Sequence, residues 1–154
     1  MHEPYHPWRS LSKDWPDVVV EHRTDMPAGR LGETDGRASI SLRMPMLQVE
    51  RRCTLAHELI HLERGDTGEC TPAVEHAIDR EVARRLITIR ALCTGIRWTL
   101  DPAELADELW VTDKILAARF DRMPEHEVRA VLEAAHDAHG ERAARRSQGG
   151  GSRC

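Results

Sequence analysis

Thr54-Leu55-Ala56-His57-Glu58-Leu59-Ile60-His61-Leu62 is the stretch on which the reading of this chain turns. Neither Pro nor Gly occurs from Val49 through Arg64, so a helix runs through it, and Gly65 ends that helix. Residues four apart on a helix share a face, with Cβ atoms roughly 5 to 6 Å apart, so the imidazoles of His57 and His61 can reach one metal ion. Glu58 then lies beside the ion, placed to take a proton from water. Neutral imidazole is a good zinc ligand; two of them leave room for a third protein ligand and a water, and a carboxylate is a competent base. Leu55, Leu59 and Leu62 are spaced to pack against a core, with the histidines on an adjoining stripe. The pattern points to zinc-dependent peptide hydrolysis. The plainer alternative is a helix whose histidines have no metal role, and the helical setting favours the metal.

A third ligand is expected from the next helix. Thr71 reads as its N-cap and Pro72 as its first residue, and the run to about Leu92 is rich in helix formers. Glu75 and Asp79 are four apart and share a face. One can ligate the metal while the other accepts a ring N–H from a ligating histidine, fixing its tautomer and raising its basicity. We take Glu75 as the ligand and Asp79 as the partner behind a histidine, or as the alternative ligand. Glu81, Glu69 and His76 are weaker candidates. Taken alone, these carboxylates would pass for a solvated face interspersed with Arg80, Arg84 and Arg85; the upstream motif shifts the balance.

The segment from Arg51 to His61, followed by Glu75-x-x-Ile78-Asp79-x-x-Val82-Ala83-Arg84-Arg85-Leu86-Ile87, resembles the ImmA/IrrE family of zinc metallopeptidases. That family shows an R-x-T-L-A-H-E-x-x-H helix and then one of the form E-x-x-A-[ND]-x-x-A-x-x-L-[LM]-P. On this register Glu75 matches the family's ligand glutamate. Thr88 stands where the family usually has proline, and Arg85 replaces an apolar residue. The likeness covers roughly residues 17 to 92. It implies a protein of bacteria, phages or mobile elements that inactivates one helix-turn-helix transcriptional repressor, so the partner would be a specific folded protein.

Composition limits other readings. The 154 residues carry 22 basic against 26 acidic side chains, so no global field draws the chain to nucleic acid or an anionic membrane. The four cysteines, Cys53, Cys70, Cys93 and Cys154, form no C-x-x-C pair. Cys53 lies one turn before His57 and reads as a small apolar core residue. With no basic-then-apolar leader and no long apolar run, a cytoplasmic, reduced protein is expected.

The N-terminal part reads as strand-rich. Val18-Val19-Val20 is one short strand, residues 38 to 43 alternate like a second, and Gly32-Glu33-Thr34-Asp35-Gly36 supplies turn chemistry between them. A hairpin or small antiparallel sheet follows, with residues 38 to 43 as the edge that would hold an extended substrate. His2, Tyr5 and His6 lie in a Pro-flanked, mobile start. Beyond Gly95, Asp101-Pro102-Ala103-Glu104 opens a helix to about Trp110, a second begins after Thr112, and a third runs from about Pro124 to His139. The first two resemble a helix-turn-helix. The first is acidic, and Trp110 occupies the turn position where glycine is common, so DNA binding is not expected and structural or partner-docking use is. His126, His136 and His139 read as solvent-exposed.

The expected class is therefore α+β. A small antiparallel N-terminal sheet packs on the zinc-binding H-E-x-x-H helix within a metallopeptidase core at 1–95. A helical region with a helix-turn-helix-like element fills 96–140, and a disordered Gly- and Arg-rich tail occupies 141–154. The expected chemistry is a zinc endopeptidase in which His57, His61 and Glu75 hold Zn2+ and Glu58 is the base. Tyr5, His76 and several arginines are unranked candidates for stabilising the oxyanion. The rival is a non-proteolytic regulator with a structural zinc, which binds a repressor or DNA through its C-terminal helices.

Overall fold

The computed structural model describes residues 4–140 and Ala143; the tail expected at 141–154 otherwise lies outside the described residues, as does His2. The fold is α+β. Helix α1 (Pro7–Asp14) precedes strands β1 (Val19–Arg23), β2 (Gly32–Thr34) and β3 (Ser39–Arg43). Helices α2 (Gln48–Arg64), α3 (Pro72–Leu86), α4 (Ile89–Trp98), α5 (Pro102–Glu108), α6 (Asp113–Phe120) and α7 (Glu125–Ala135) follow. No helix among the described residues is long and apolar enough to cross a membrane.

Helix α2 is the axis of the molecule, and its sequence explains why. At about 100° per residue, its side chains fall into three sectors of similar width. Leu55, Leu59 and Leu62 face one way and join Leu11, Ile40 and Leu42 in a core between α2, α1 and the sheet. Cys53, Ala56 and Ile60 face another and join Ile78, Val82, Ile87, Leu92, Ile96, Leu105, Ile115, Leu116 and Ala134 in a larger core with the later helices. The third sector holds Glu50, Thr54, His57, Glu58 and His61, all of which line one cleft.

The sheet departs from expectation. Its order is β1-β3-β2: β1 runs parallel to β3, with Val20 opposite Ile40, and only β2 is antiparallel to it, with Glu33 opposite Ser41. The sheet is thus mixed, not antiparallel, and β3 is central, not an edge. The connection from residue 24 to residue 38 is long enough for a parallel crossover, and β2 within it takes the antiparallel place. Gly32-Glu33-Thr34, read as turn residues, form β2 itself. The tight turn is Asp35 to Ala38, where Asp35 Oδ1 accepts the N–H groups of Arg37, Ala38 and Ser39 and Gly36 takes φ +73°. From Pro4 onward the N-terminal segment is not a loose start either. Pro7 opens α1, whose Leu11 enters the sheet-side core, and the Tyr5 ring packs against the helical one.

The helix expected from Pro72 to Leu92 is two helices. Ile87 is extended and Thr88, the residue standing in the proline position, caps α4 by accepting from Ala91 N. The carbonyl freed at this break is satisfied by buried Arg119, whose Nε donates to Ile87 O while its Nη1 pairs with Glu127 at 2.8 Å. Gly95 lies inside α4, against Leu105: a Cβ there would stand 2.6 Å from Leu105 Cδ1. Caps at Thr71 and Asp101 form as read, and Thr112, after which a helix is expected, caps α6 as well, each side chain accepting an N–H of the first turn. Trp110, between α5 and α6, adopts φ +53°. Arg52 holds it there, stacking 5.1 Å over the indole and donating to its carbonyl.

Candidate metal centre

His57 and His61 project from the third sector of α2, and Glu75, on the first turn of α3, meets them. His57 Nε2 lies 3.0 Å from Glu75 Oε2 and 3.1 Å from His61 Nε2, and His61 Nε2 lies 3.5 Å from Glu75 Oε1. A tetrahedral zinc ion with bonds near 2.0 to 2.1 Å spaces its ligands by roughly 3.3 Å, and the two ring nitrogens and the Glu75 carboxylate lie at separations close to that. Each imidazole is held from behind. His57 Nδ1 donates to Asp79 Oδ1 at 3.0 Å and His61 Nδ1 to Asp66 Oδ2 at 3.1 Å, which leaves both Nε2 lone pairs aimed at the shared point.

Each supporting carboxylate is itself anchored. Asp79 is buried and its other oxygen lies 2.8 Å from Lys114 Nζ on α6. Burial pushes its acidity down, yet the bonds from His57 and Lys114 outweigh that and hold the carboxyl below its ordinary value. Asp66 accepts from Arg64 Nε at 2.6 Å and is likewise held low. For His57, burial opposes charge, but the Asp79 bond and the carboxylates of Glu58, Asp79 and Glu75 prevail and raise its pKa.

Glu58 is only 6% exposed. Burial, opposed by His57, lifts its carboxyl to about 7. Strand β2 covers it closely: a Cβ on Gly32 would sit 2.7 Å from Glu58 Oε1 and 2.6 Å from Thr54 Cγ2, so only glycine lets the edge strand lie this near the helix. The group faces a cleft of about 890 Å3 bounded by α2, β2, residues 28 to 31, residues 66 to 70 and the start of α6. Such an arrangement offers three metal ligands, a buried carboxyl near neutrality and access for a sizeable ligand.

The four residues drawn from the motif and the following helix therefore meet, with Asp79 behind His57. Other candidates lie elsewhere. Glu81 pairs with Arg85, Glu69 sits at the cleft rim bound to Arg30, and His76 borders a smaller cavity with Arg80 and Asp121. Tyr5 lies beneath the Arg85 guanidinium, and its hydroxyl is buried without a hydrogen-bond partner among the described residues. It is not among the residues lining the cleft. Of the arginines, Arg23 and Arg30 line the cleft. Cys53 is a buried core residue, while Cys70 brings its Sγ to 3.8 Å from His61 Nδ1, grouping with Asp66 on the far side of that ring. Sequence reasoning missed Asp66, Lys114 and Gly32. Asp66 follows the Gly65 cap that turns the chain back toward His61, and that cap was the one available signal for it. No family model, curated protein or solved structure matches this chain.

Proposed function

We propose that this chain is a zinc-dependent endopeptidase, of the kind its H-E-x-x-H helix and second helix resemble. Its target would be one specific protein, a helix-turn-helix repressor, in the cytoplasm of its host. The observation that carries the reading is the convergence of His57 Nε2, His61 Nε2 and a Glu75 carboxylate within 3.0 to 3.5 Å, beside buried Glu58 and at the floor of an open cleft. A structural zinc site is normally closed by four protein ligands; three ligands facing a cleft suit catalysis better.

A zinc ion held by these residues would supply the Lewis acidity that makes water nucleophilic near neutral pH and polarises a carbonyl. Asp79 and Asp66 keep the ring protons on Nδ1, so both histidines present Nε2. Glu58, with a carboxyl poised near 7, accepts a proton from the attacking water and returns it to the leaving amine. Strand β2 is an edge strand against α2, so its free side is the place for an extended substrate backbone to pair. The helices α5 and α6, joined through Trp110, would serve the fold and partner docking.

The test is Glu58→Gln. It is expected to keep zinc, stability in the metal-loaded state and partner binding, and to abolish cleavage of the partner repressor. Zinc-replete wild-type protein that binds that repressor without cutting it would overturn the peptidase and leave a non-proteolytic regulator.

A further inference from the structure

We propose that the cleft selects a cationic segment of its substrate, an inference that rests on the peptidase reading above and adds the substrate's chemistry to it. Carboxylate residues outnumber basic ones nine to three along the cleft walls. The three cations are already engaged: Arg23 and Arg30 with Glu33, Arg30 also with Glu69, and Lys114 with Asp79. Glu21 and Glu50 line the same walls and form no ion pair among the described residues. Asp66 is further offset by Arg64, just outside the cleft lining, and a bound divalent ion would cancel two more charges, which leaves a smaller excess.

The charges are also distributed along the path a peptide would take. The stripe from Glu50 to His61 rises roughly 16 Å at about 1.5 Å per residue, enough for about five residues of extended chain. Glu50 marks one end; Asp66 and Glu69 lie beyond the other, with Glu33 and Asp35 along the β2 wall. A concave surface lined by one sign focuses its field into the space between the walls, so it draws in and holds the opposite sign. The whole chain has a net charge of only −4, so the cleft carries a local concentration of charge and not a share of a uniform one.

The experiment uses the zinc-loaded Glu58→Gln protein and two labelled short peptides, one of arginine and serine, the other of glutamate and serine, followed by fluorescence anisotropy. The arginine peptide is expected to bind about tenfold more tightly at low salt, with the preference shrinking as salt rises. Combining Glu21→Lys with Glu69→Lys, both at exposed positions, is expected to weaken it about fivefold or more. Glu108→Lys with Glu133→Lys changes net charge equally on an outer surface and is expected to stay within about twofold. No preference between peptides, or equal losses from the two pairs, overturns the proposal. Wild-type protein separates the two readings. If the cationic peptide is held but the partner repressor is bound and never cut, the peptidase falls and the selectivity stands; if the repressor is cut while the two peptides bind alike, the reverse holds.

Discussion

Gly32→Ala tests how closely the edge strand is fitted to helix α2. In a strand whose surroundings accept a methyl group, this change stabilises by about 0.4 to 1 kcal/mol, because alanine has less conformational freedom to lose. Here the methyl would stand 2.6 Å from Thr54 Cγ2 and 2.7 Å from Glu58 Oε1, closer than van der Waals contact by nearly an ångström. Neither neighbour yields easily: Thr54 is β-branched on a helix and stiff at χ1, and Glu58 is buried. Overpacking of this sort costs about 1 to 3 kcal/mol, so the sign reverses. For a chain of this size the melting temperature should fall by roughly 3 to 10 °C. The assay is thermal and urea unfolding with a chelator present, so that metal binding does not enter. Gly32→Ala combined with Thr54→Ser removes one of the two clashes and should recover about half of the loss, beyond additivity. A single variant as stable as wild type, or more so, would refute the close packing of β2 on α2.

Three further outcomes are expected. Glu75→Ala should release zinc more completely than Asp79→Ala, whose loss should be about 10- to 100-fold in affinity; equal or reversed losses by equilibrium dialysis would refute the assignment of ligand and support. In metal-free protein the Glu58 carboxyl titrates at about 7 when folded and near 4.5 when unfolded, so it costs nothing below the lower value and progressively destabilises the fold as pH rises to the upper one. Glu58→Gln should therefore gain on wild type between pH 5 and 8 by roughly 3 kcal/mol, and parallel urea midpoints across that range would contradict it. Glu127→Ala should cost about 3 kcal/mol or more in chemical denaturation, because it leaves the Arg119 charge, 2% exposed, without its carboxylate; a loss under about 1 kcal/mol would show that Arg119 relaxes to water.

What could be read from the sequence was what short stretches of chain decide by themselves. The α2 motif, the Thr71-Pro72 start, the cap at Asp101 and the helix start after Thr112 each depend on residues within one turn. Glu75 and Asp79 were legible because four-residue spacing on one helix is local too, and their meeting with His57 needed only that two consecutive helices pack. The sheet was not legible: parallel pairing of β1 with β3 is a contact across a long connection, and Gly32-Glu33-Thr34 has turn composition while serving as a strand. The glycine there answers to Glu58 and Thr54 on another element, which no local rule reveals. Lys114 reaches Asp79 from α6 for the same reason. The break at Ile87 was hidden because the stretch lacks Gly and Pro; Thr88 capping the next helix and Arg119 receiving the loose carbonyl make it tolerable.

Because α2 is clothed on two sides by separate cores, its middle stretch from Cys53 to Leu62 meets solvent through Thr54 and His57, on the floor of the cleft. Drift in what the protein accepts is thereby confined to the opposing rims: the loop before β2, the turn after Gly65 and the beginning of α6. On the proposed function, exchanging those three pieces would retune recognition, while nearly every middle position of the central helix is answerable either to packing or to the cleft-facing stripe.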